Sequence, residues 1–361
     1  MNDSNTELTI MLSQFGRHEF SGRFFAYLNE TECSYPILYA DGDADGFAKE
    51  ICVKYKDTLN IQLVEYKQSQ KFKDYFTMMV KGLETIKTPY VMLCDNDDFI
   101  VYSSIEKLLK FLRNNSDYVS AGSNMIHIQL DNFSSKHAGK THTLCNAYTG
   151  HRIEEPLFSW EEQVNQTFLN FQPNFYNIHK TDVLLQVWRE ILESDFSDLT
   201  IMEFFYQLRV LSFGKQYTDP SIVHYIRQSG TGSWQGKTFN FSRELVYNNL
   251  PRDIRIVADR MAKICSGNFG EDYHRIYTAI LDSYAQHLNN FLPHNVLRYR
   301  FPRIFKIKLS LLQILDKLPI LARVRLFIKE FLLLRSLKRI MGQPYTHFIR
   351  EVKTIKNIVT K

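Results

Sequence analysis

Short apolar runs alternate with amphipathic stretches along the first third of the chain. Residues 8–13 (LTIMLS) read as a strand, 14–17 (QFGR) as a turn, and 18–29 as a helix carrying Phe20, Phe24, Tyr27 and Leu28 on one side. The alternation continues with strands at 35–40, 61–64 and 90–94, and a fifth opening at 118–121. Between them, 47–55, 75–86 and 103–113 have helical spacing. Strands separated by helices of about three turns predict βαβ units and a mainly parallel sheet. In such sheets ligands bind beyond the carboxyl ends of the strands. Three polar turns fall at those ends: 14–17, 41–43 and 95–98.

The pattern then changes. Residues 132–150 are polar and read as a loop or small excursion, followed by a helix at 160–170 and a strand at 174–178. Helices at 182–192 and 199–213 precede a β-like stretch at 216–227, and 228–236 (QSGTGSWQG) is a Gly-rich loop. From about residue 242 onward the chain reads as helical, with no internal repeat. The 361 residues suggest two parts, a sheet-based domain over 1–235 and a helical region over 236–361.

Composition narrows the class. With 44% hydrophobic and 23% charged residues the chain is globular, neither disordered nor collagenous. The net charge of +5 hides an asymmetry. Residues 291–361 hold 16 basic side chains against Asp316, Glu330 and Glu351, a net of +13, which leaves 28 basic and 36 acidic residues before them, a net of −8. A basic tail on an acidic body suggests a phosphate-bearing surface as partner. The first seven residues are polar and acidic, unlike a secretory signal, and no run of ~18 apolar residues predicts a spanning helix. Five cysteines (Cys33, Cys52, Cys94, Cys145, Cys265) lack C-x-x-C spacing and read as reduced thiols of a cytosolic protein.

Four groups of residues carry candidate chemistry. Asp95-Asn96-Asp97-Asp98 places three carboxylates at the end of an apolar strand, where mutual repulsion favours a hard divalent cation; a solvated acidic turn is the competing reading. Asp41-Gly42-Asp43-Ala44-Asp45-Gly46 opens like a calcium loop, but a strand precedes it and the twelfth position is Cys52 instead of a bidentate Glu. A strand-terminal Asp that accepts a hydrogen bond from a base or ribose fits better, beside the plain reading of an Asp/Gly turn. Asp198 and Glu203 flank a helix start, either as a cap and a first-turn acid or as a general base. His224 and Arg227, with Trp234 in the following loop, offer a metal or phosphate contact, a phosphate fork and an aromatic face, although a lone His is more often structural.

Taken in order, these pieces resemble the GT-A glycosyltransferases, in particular the large inverting family 2-like group and its bacterial surface-polysaccharide branch. The resemblance runs over about residues 5–235 and rests on Ser13 to Arg17, the Asp41-Gly42-Asp43 turn, the D-x-D run 95–98, the acids Asp198 and Glu203, and Arg227, Gln228 and Trp234. It implies a GT-A fold, a Rossmann-like, mainly parallel sheet flanked by helices. It also implies transfer of a sugar from a nucleoside-diphosphate sugar, UDP-linked by expectation, with Mn²⁺ or Mg²⁺ as cofactor. On that basis Ser13, Arg17, Asp41, Asp43, Asp95, Asn96, Arg227 and Trp234 would hold the donor. Asp95, Asp97, Asp98 and His224 would hold the metal, and Asp198 would be the base, with Glu203 in reserve. The family's adjacent Glu-Asp pair is absent, since position 197 is Ser. A Gly-rich loop typical of the related nucleotidyltransferases is missing after the first strand, which disfavours that alternative. A non-enzymatic adaptor acting through the basic tail is the other.

The acceptor implied is a hydroxyl of a glycan or of a lipid-linked glycan. Arg and Lys interleave with Leu, Ile and Phe over 298–340, which suits either the inner membrane face or packing on the catalytic part or a second copy in a homo-oligomer. Nucleic acid is disfavoured by the abundance of Leu and Ile. The expected location is cytoplasmic and peripheral to the membrane.

Overall fold

The computed structural model describes residues 7–67, 71–131, 140–148, 159–169, 174–229, 250–300 and 319–360. Nine strands form one mixed sheet: β1 (Leu8–Gln14), β2 (Ile37–Asp41), β3 (Ile61–Glu65), β4 (Tyr90–Asp95), β5 (Phe99–Ile100), β6 (Tyr118–Asp131), β7 (Lys140–Tyr148), β8 (Ile178–Lys180) and β9 (Lys215–Ser229). Their order is β3-β2-β1-β4-β8-β6-β9-β5, with β7 paired to β6. Strands β3, β2, β1 and β4 run parallel, β8 is antiparallel to β4 and β6, and β6 pairs in parallel with β9.

Interspersed are α1 (His18–Glu30), α2 (Phe47–Tyr55), α3 (Phe72–Thr85), α4 (Tyr102–Asn114), α5 (Trp160–Leu169), α6 (Thr181–Ser194) and α7 (Leu199–Leu211). Ile10, Met11 and Leu12 are fully buried, as expected for a central parallel strand covered on both faces. Helix α1 turns Phe20, Phe24, Phe25, Tyr27 and Leu28 inward, and α4 does the same with Ile105, Leu108, Leu109 and Leu112. At Gly122 on β6 an added Cβ would collide with the Asn177 side chain, so the close passage there requires glycine.

The architecture expected from the sequence is present. The differences lie where apolar periodicity is weak. Within the segment expected to be a loop, 140–148 is strand β7, antiparallel to β6. Its Lys, Thr and His residues lack the alternation of a half-buried strand, and backbone pairing to the long β6 orders it. Residues 174–177, expected as strand, form a turn closed by the Asn177 amide on the Asn174 carbonyl at 3.1 Å, and β8 follows it.

Four further helices complete the described residues: α8 (Leu250–Phe269), α9 (Tyr273–Arg300), α10 (Pro319–Met341) and α11 (Pro344–Thr360). Helix α8 packs on α7 and α9, and α9 on α5. Helices α10 and α11 reach back to the sheet at β7 and β9, and α11 also packs on α1. Leu337, Met341, Phe348, Val352 and Ile355 thereby join the core of the sheet-based part.

One buried carboxylate ties the end of the chain to its beginning. Helix α4 has Val101 at its N-cap and no side-chain cap of its own. Instead Glu351 of α11 accepts from the amides of Tyr102 (2.7 Å) and Ser103 (2.9 Å) and from the Tyr27 hydroxyl. The orphan amides of α4 and its positive dipole end are met by an anion 248 residues away. Because α4 follows directly on residues 95–101, this contact braces the segment leading from the acidic run. We expect Glu351→Ala to lower unfolding free energy by ~3 kcal/mol, since it strands buried donors, and Glu351→Gln to lose less. Urea denaturation checks this; an unchanged midpoint in the alanine variant would contradict it.

Candidate active site

The site forms where β1, β2 and β4 end side by side. The chain leaves β1 through Gly16 (φ 68°) and Arg17 (φ 61°), two successive residues in the left-handed region. A non-glycine residue adopts that conformation only where neighbours fix it. Asn96 does so, donating to the Gly16 carbonyl at 3.0 Å and the Ser21 hydroxyl at 3.1 Å, while the Gly16 amide donates to Asp43 Oδ2 at 2.6 Å. The turn aims the Arg17 guanidinium at Asp97, with which it pairs.

At the end of β2, Asp41 is wholly buried and accepts from the amides of Asp43 (3.0 Å) and Ala44 (3.2 Å) and from Gln14 Nε2 (3.2 Å). Burial pushes its carboxyl above the ordinary range. Gln14 also donates to Asp43 at 3.3 Å, so one side chain links the first two polar turns. Beside them His18 stacks on Phe47 at 4.4 Å and lies 3.4 Å from Asp43.

The acidic run closes the third turn. Oxygens of Asp95, Asp97 and Asp98 lie within 4.8 Å of one another. Burial, then the charge of Asp97, raises the carboxyls of both Asp95 and Asp98. Asp95 accepts from Tyr176 Oη at 2.6 Å and Ser13 Oγ at 3.2 Å. Asp98 accepts from the Gln228 amide at 2.9 Å and faces Arg227 Nε at 3.7 Å, while the Gln228 side chain donates to the Asp97 carbonyl. Arg227 lies 5.6 Å over the Tyr176 ring, which stacks on Tyr225 at 4.1 Å. Two guanidiniums thus meet three crowded carboxylates.

Glu203, in the second turn of α7, is the fourth carboxyl here. Its electrostatic neighbours are Arg227, Asp95 and Asp198, and burial pushes its pKa up to about 7. Asp198 is the N-cap of α7, its Oδ1 accepting from Thr200 N at 2.7 Å and Ile201 N at 3.0 Å. Burial raises its carboxyl too, and the acid facing it is Asp253 of α8. Asp253 is fully buried and accepts from the amides of Ser197 (2.7 Å) and Asp198 (2.9 Å).

The fold therefore brings together Ser13, Arg17, Asp95, Asp97, Asp98, Glu203 and Arg227 from the expected set, with Asp41 and Asp43 on the adjoining turn. Three expected residues are otherwise engaged: Asp198 caps α7, and His224 and Asn96 turn to other partners. His224 is buried and holds Ser123 through Nδ1 (2.9 Å to its amide), and strand alternation turns it away from the face of Tyr225 and Arg227. It is not among the clustered carboxylates, and burial lowers its pKa to about 4. The Asn96 amide points inward to the β1–α1 turn, so its role here is to shape Arg17. Trp234 lies outside the described residues. The sequence reading missed Gln14, Tyr75, Tyr176 and Tyr225. Period-two spacing in β9 pairs Tyr225 with Arg227, a signal that was available; Tyr75, whose hydroxyl faces Asp95 and Glu203, had none.

Residues 26–193 match the model of the family described as Glycosyl transferase family 2. No curated protein matches the chain. Among solved structures, the crystal structure of S. aureus TarS 1-349 is 13% identical, covers 97% of this chain and 90% of that one, and has a TM-score of 0.50. Its structures in complex with UDP and with UDP-GlcNAc are each 12% identical, with the same coverage and a TM-score of 0.49. At such identity the likeness is one of fold. Residues 26–193, a little under half of the chain, thus match a glycosyltransferase family 2 domain, and the mainly parallel sheet with its acidic centre at the carboxyl edge is a GT-A-like fold.

Proposed function

We propose that the protein transfers a sugar, with inversion, from a nucleoside-diphosphate sugar to a hydroxyl of a glycan or lipid-linked glycan. The observation that carries this reading is Glu203, a half-buried carboxyl that faces Asp95 and Arg227 and that desolvation pushes up to about 7. The donor nucleoside fits against the Asp41 and Asp43 turn at the edge of the parallel strands, UDP being the nucleotide that the family resemblance suggests. Asp95, Asp97 and Asp98 are suited in chemistry and spacing to a hard cation, Mn²⁺ or Mg²⁺. Such an ion, when bound, offsets diphosphate charge and acts as a Lewis acid on the departing group.

The chain's own groups do the rest. Arg17 and Arg227, paired here with Asp97 and Asp98, are placed to turn their forks to phosphate oxygens once those acids are otherwise engaged. Glu203 takes the proton of the acceptor hydroxyl as its oxygen attacks the anomeric carbon. The bond from that carbon to the diphosphate oxygen breaks, and its electron pair leaves with the nucleoside diphosphate. A single displacement from the opposite face inverts the anomeric centre. Free thiols at Cys33, Cys52, Cys94 and Cys265 support a cytoplasmic setting.

Three outcomes test this reading. Glu203→Gln should lower kcat of transfer by about 10²- to 10⁴-fold with little change in donor KM. Asp198→Ala should cost ~1 kcal/mol of stability through the lost cap while leaving kcat largely intact. If Asp198→Asn abolishes transfer and Glu203→Gln does not, the roles are reversed.

The rate should rise with pH as Glu203 loses its proton, with the limb at or below about 7, because a cation beside Asp95 draws the pKa down. Glu203→Gln should flatten that limb.

Donor hydrolysis, screened over nucleotide sugars with and without Mn²⁺, should need both the cation and Asp97. An Asp97→Asn variant as active as the parent would exclude the proposed cation site, and absence of any nucleotide-sugar binding would exclude the reaction.

A further inference from the structure

Helix α10 holds large apolar side chains in water. Ile328, Phe331, Leu332 and Ile340 are 50%, 57%, 56% and 38% exposed, four of the seven large hydrophobic residues exposed among those described. The opposite side of the helix buries Leu337 and Met341 and packs Leu333 and Leu334 against the core. Helical spacing sets Ile328, Leu332, Arg335 and Arg339 along one stripe, with Phe331 and Lys338 beside it. Arg335, Lys338 and Arg339 are all exposed. The single acid between 328 and 340, Glu330, pairs with Lys356 of α11.

The neighbouring α11 extends the same character. Its exposed residues include His347, Arg350 and Lys353, and its single acid is Glu351, buried on α4. The outward surface of this helix pair is therefore apolar and cationic. A nucleic acid would use the charge but leave Phe331 and Leu332 against water. An anionic bilayer satisfies both, with apolar groups at the acyl boundary and guanidiniums at the headgroups. No helix among the described residues is long and apolar enough to cross a membrane, so the contact is with the surface.

We propose that the outward face of α10 seats the protein on an anionic lipid surface. The helix packs directly on β7 and β9, and β9 carries Arg227. A bilayer against α10 would therefore lie one helix, about 10 Å, from the sheet that bears the site. On the function proposed above, a lipid-linked acceptor would lie on the same surface as the protein.

Flotation of the full chain with vesicles tests this independently of the donor. The parent should float with vesicles of phosphatidylcholine plus phosphatidylglycerol and stay behind with phosphatidylcholine alone. Arg335→Ala with Arg339→Ala should weaken binding about 30-fold, and Phe331→Glu with Leu332→Glu should abolish it. Circular dichroism checks that both pairs fold, and hydrolysis of a soluble donor should equal the parent's. Equal flotation of parent and variants would overturn the proposal. So would a dimer in sedimentation velocity that Phe331→Glu dissociates, since a second copy would then cover the face.

Discussion

Three carboxylates at the end of one buried strand set the terms for everything around them. Asp95, Asp97 and Asp98 lie close enough to repel one another, in surroundings that raise the first and the last above the ordinary carboxyl range. Such a cluster persists only where neighbours compensate its charge. The fold recruits them from distant places: Arg17 from the turn after β1, Tyr176 from the turn before β8, and Arg227 with Gln228 from the end of β9. Each must be carried by its own rigid element. The strained turn at Gly16 and Arg17, the Tyr176–Tyr225 stack and the β5–β9 pairing all serve that requirement.

The same constraint separates two acids that look equivalent in sequence. Asp198 and Glu203 are five residues apart on α7, but they face different neighbours. Asp198 spends one oxygen on the helix amides and lies against Asp253, whereas Glu203 looks onto Asp95 and Arg227. The second is the one coupled directly to Asp95 and Arg227. A base must be reachable by substrate and free of obligations that fix its proton, and a carboxylate capping its own helix meets those conditions poorly.

Much of this was legible beforehand because the parallel half of the sheet writes itself in hydrophobic periodicity. Strands β1 to β4 and helices α1 to α4 follow the expected order, with bounds within a few residues. So do the three polar turns at the carboxyl edge, since connectivity alone brings them together. Legibility fails where structure depends on a partner far along the chain. Strand β7 is ordered by pairing and not by its own apolar residues. Asn96, adjacent to two candidate ligands, folds back to the turn at Gly16. His224 sits among site residues in sequence but alternates to the other face of its strand, a distinction that periodicity contained and residue type obscured.

The charge asymmetry acquires a different meaning once its few acids are located. In the last 71 residues 16 basic side chains stand against three carboxylates, and the two described are both committed to internal contacts. Glu351 caps α4 and Glu330 pairs with Lys356, so neither dilutes the outer surface of α10 and α11. Glu351 holds α11 to the sheet-based part and Glu330 links α10 to α11, and the exposed basic residues are left facing outward. Helices α10 and α11 thus pack on the sheet-based part. The buried anion that anchors α11 supports α4 just beyond the acidic run, so the region that offers cations to the surroundings also stiffens the centre in which carboxylates are gathered. The exposed cations and the residues that pack on the sheet lie on different faces of the same two helices.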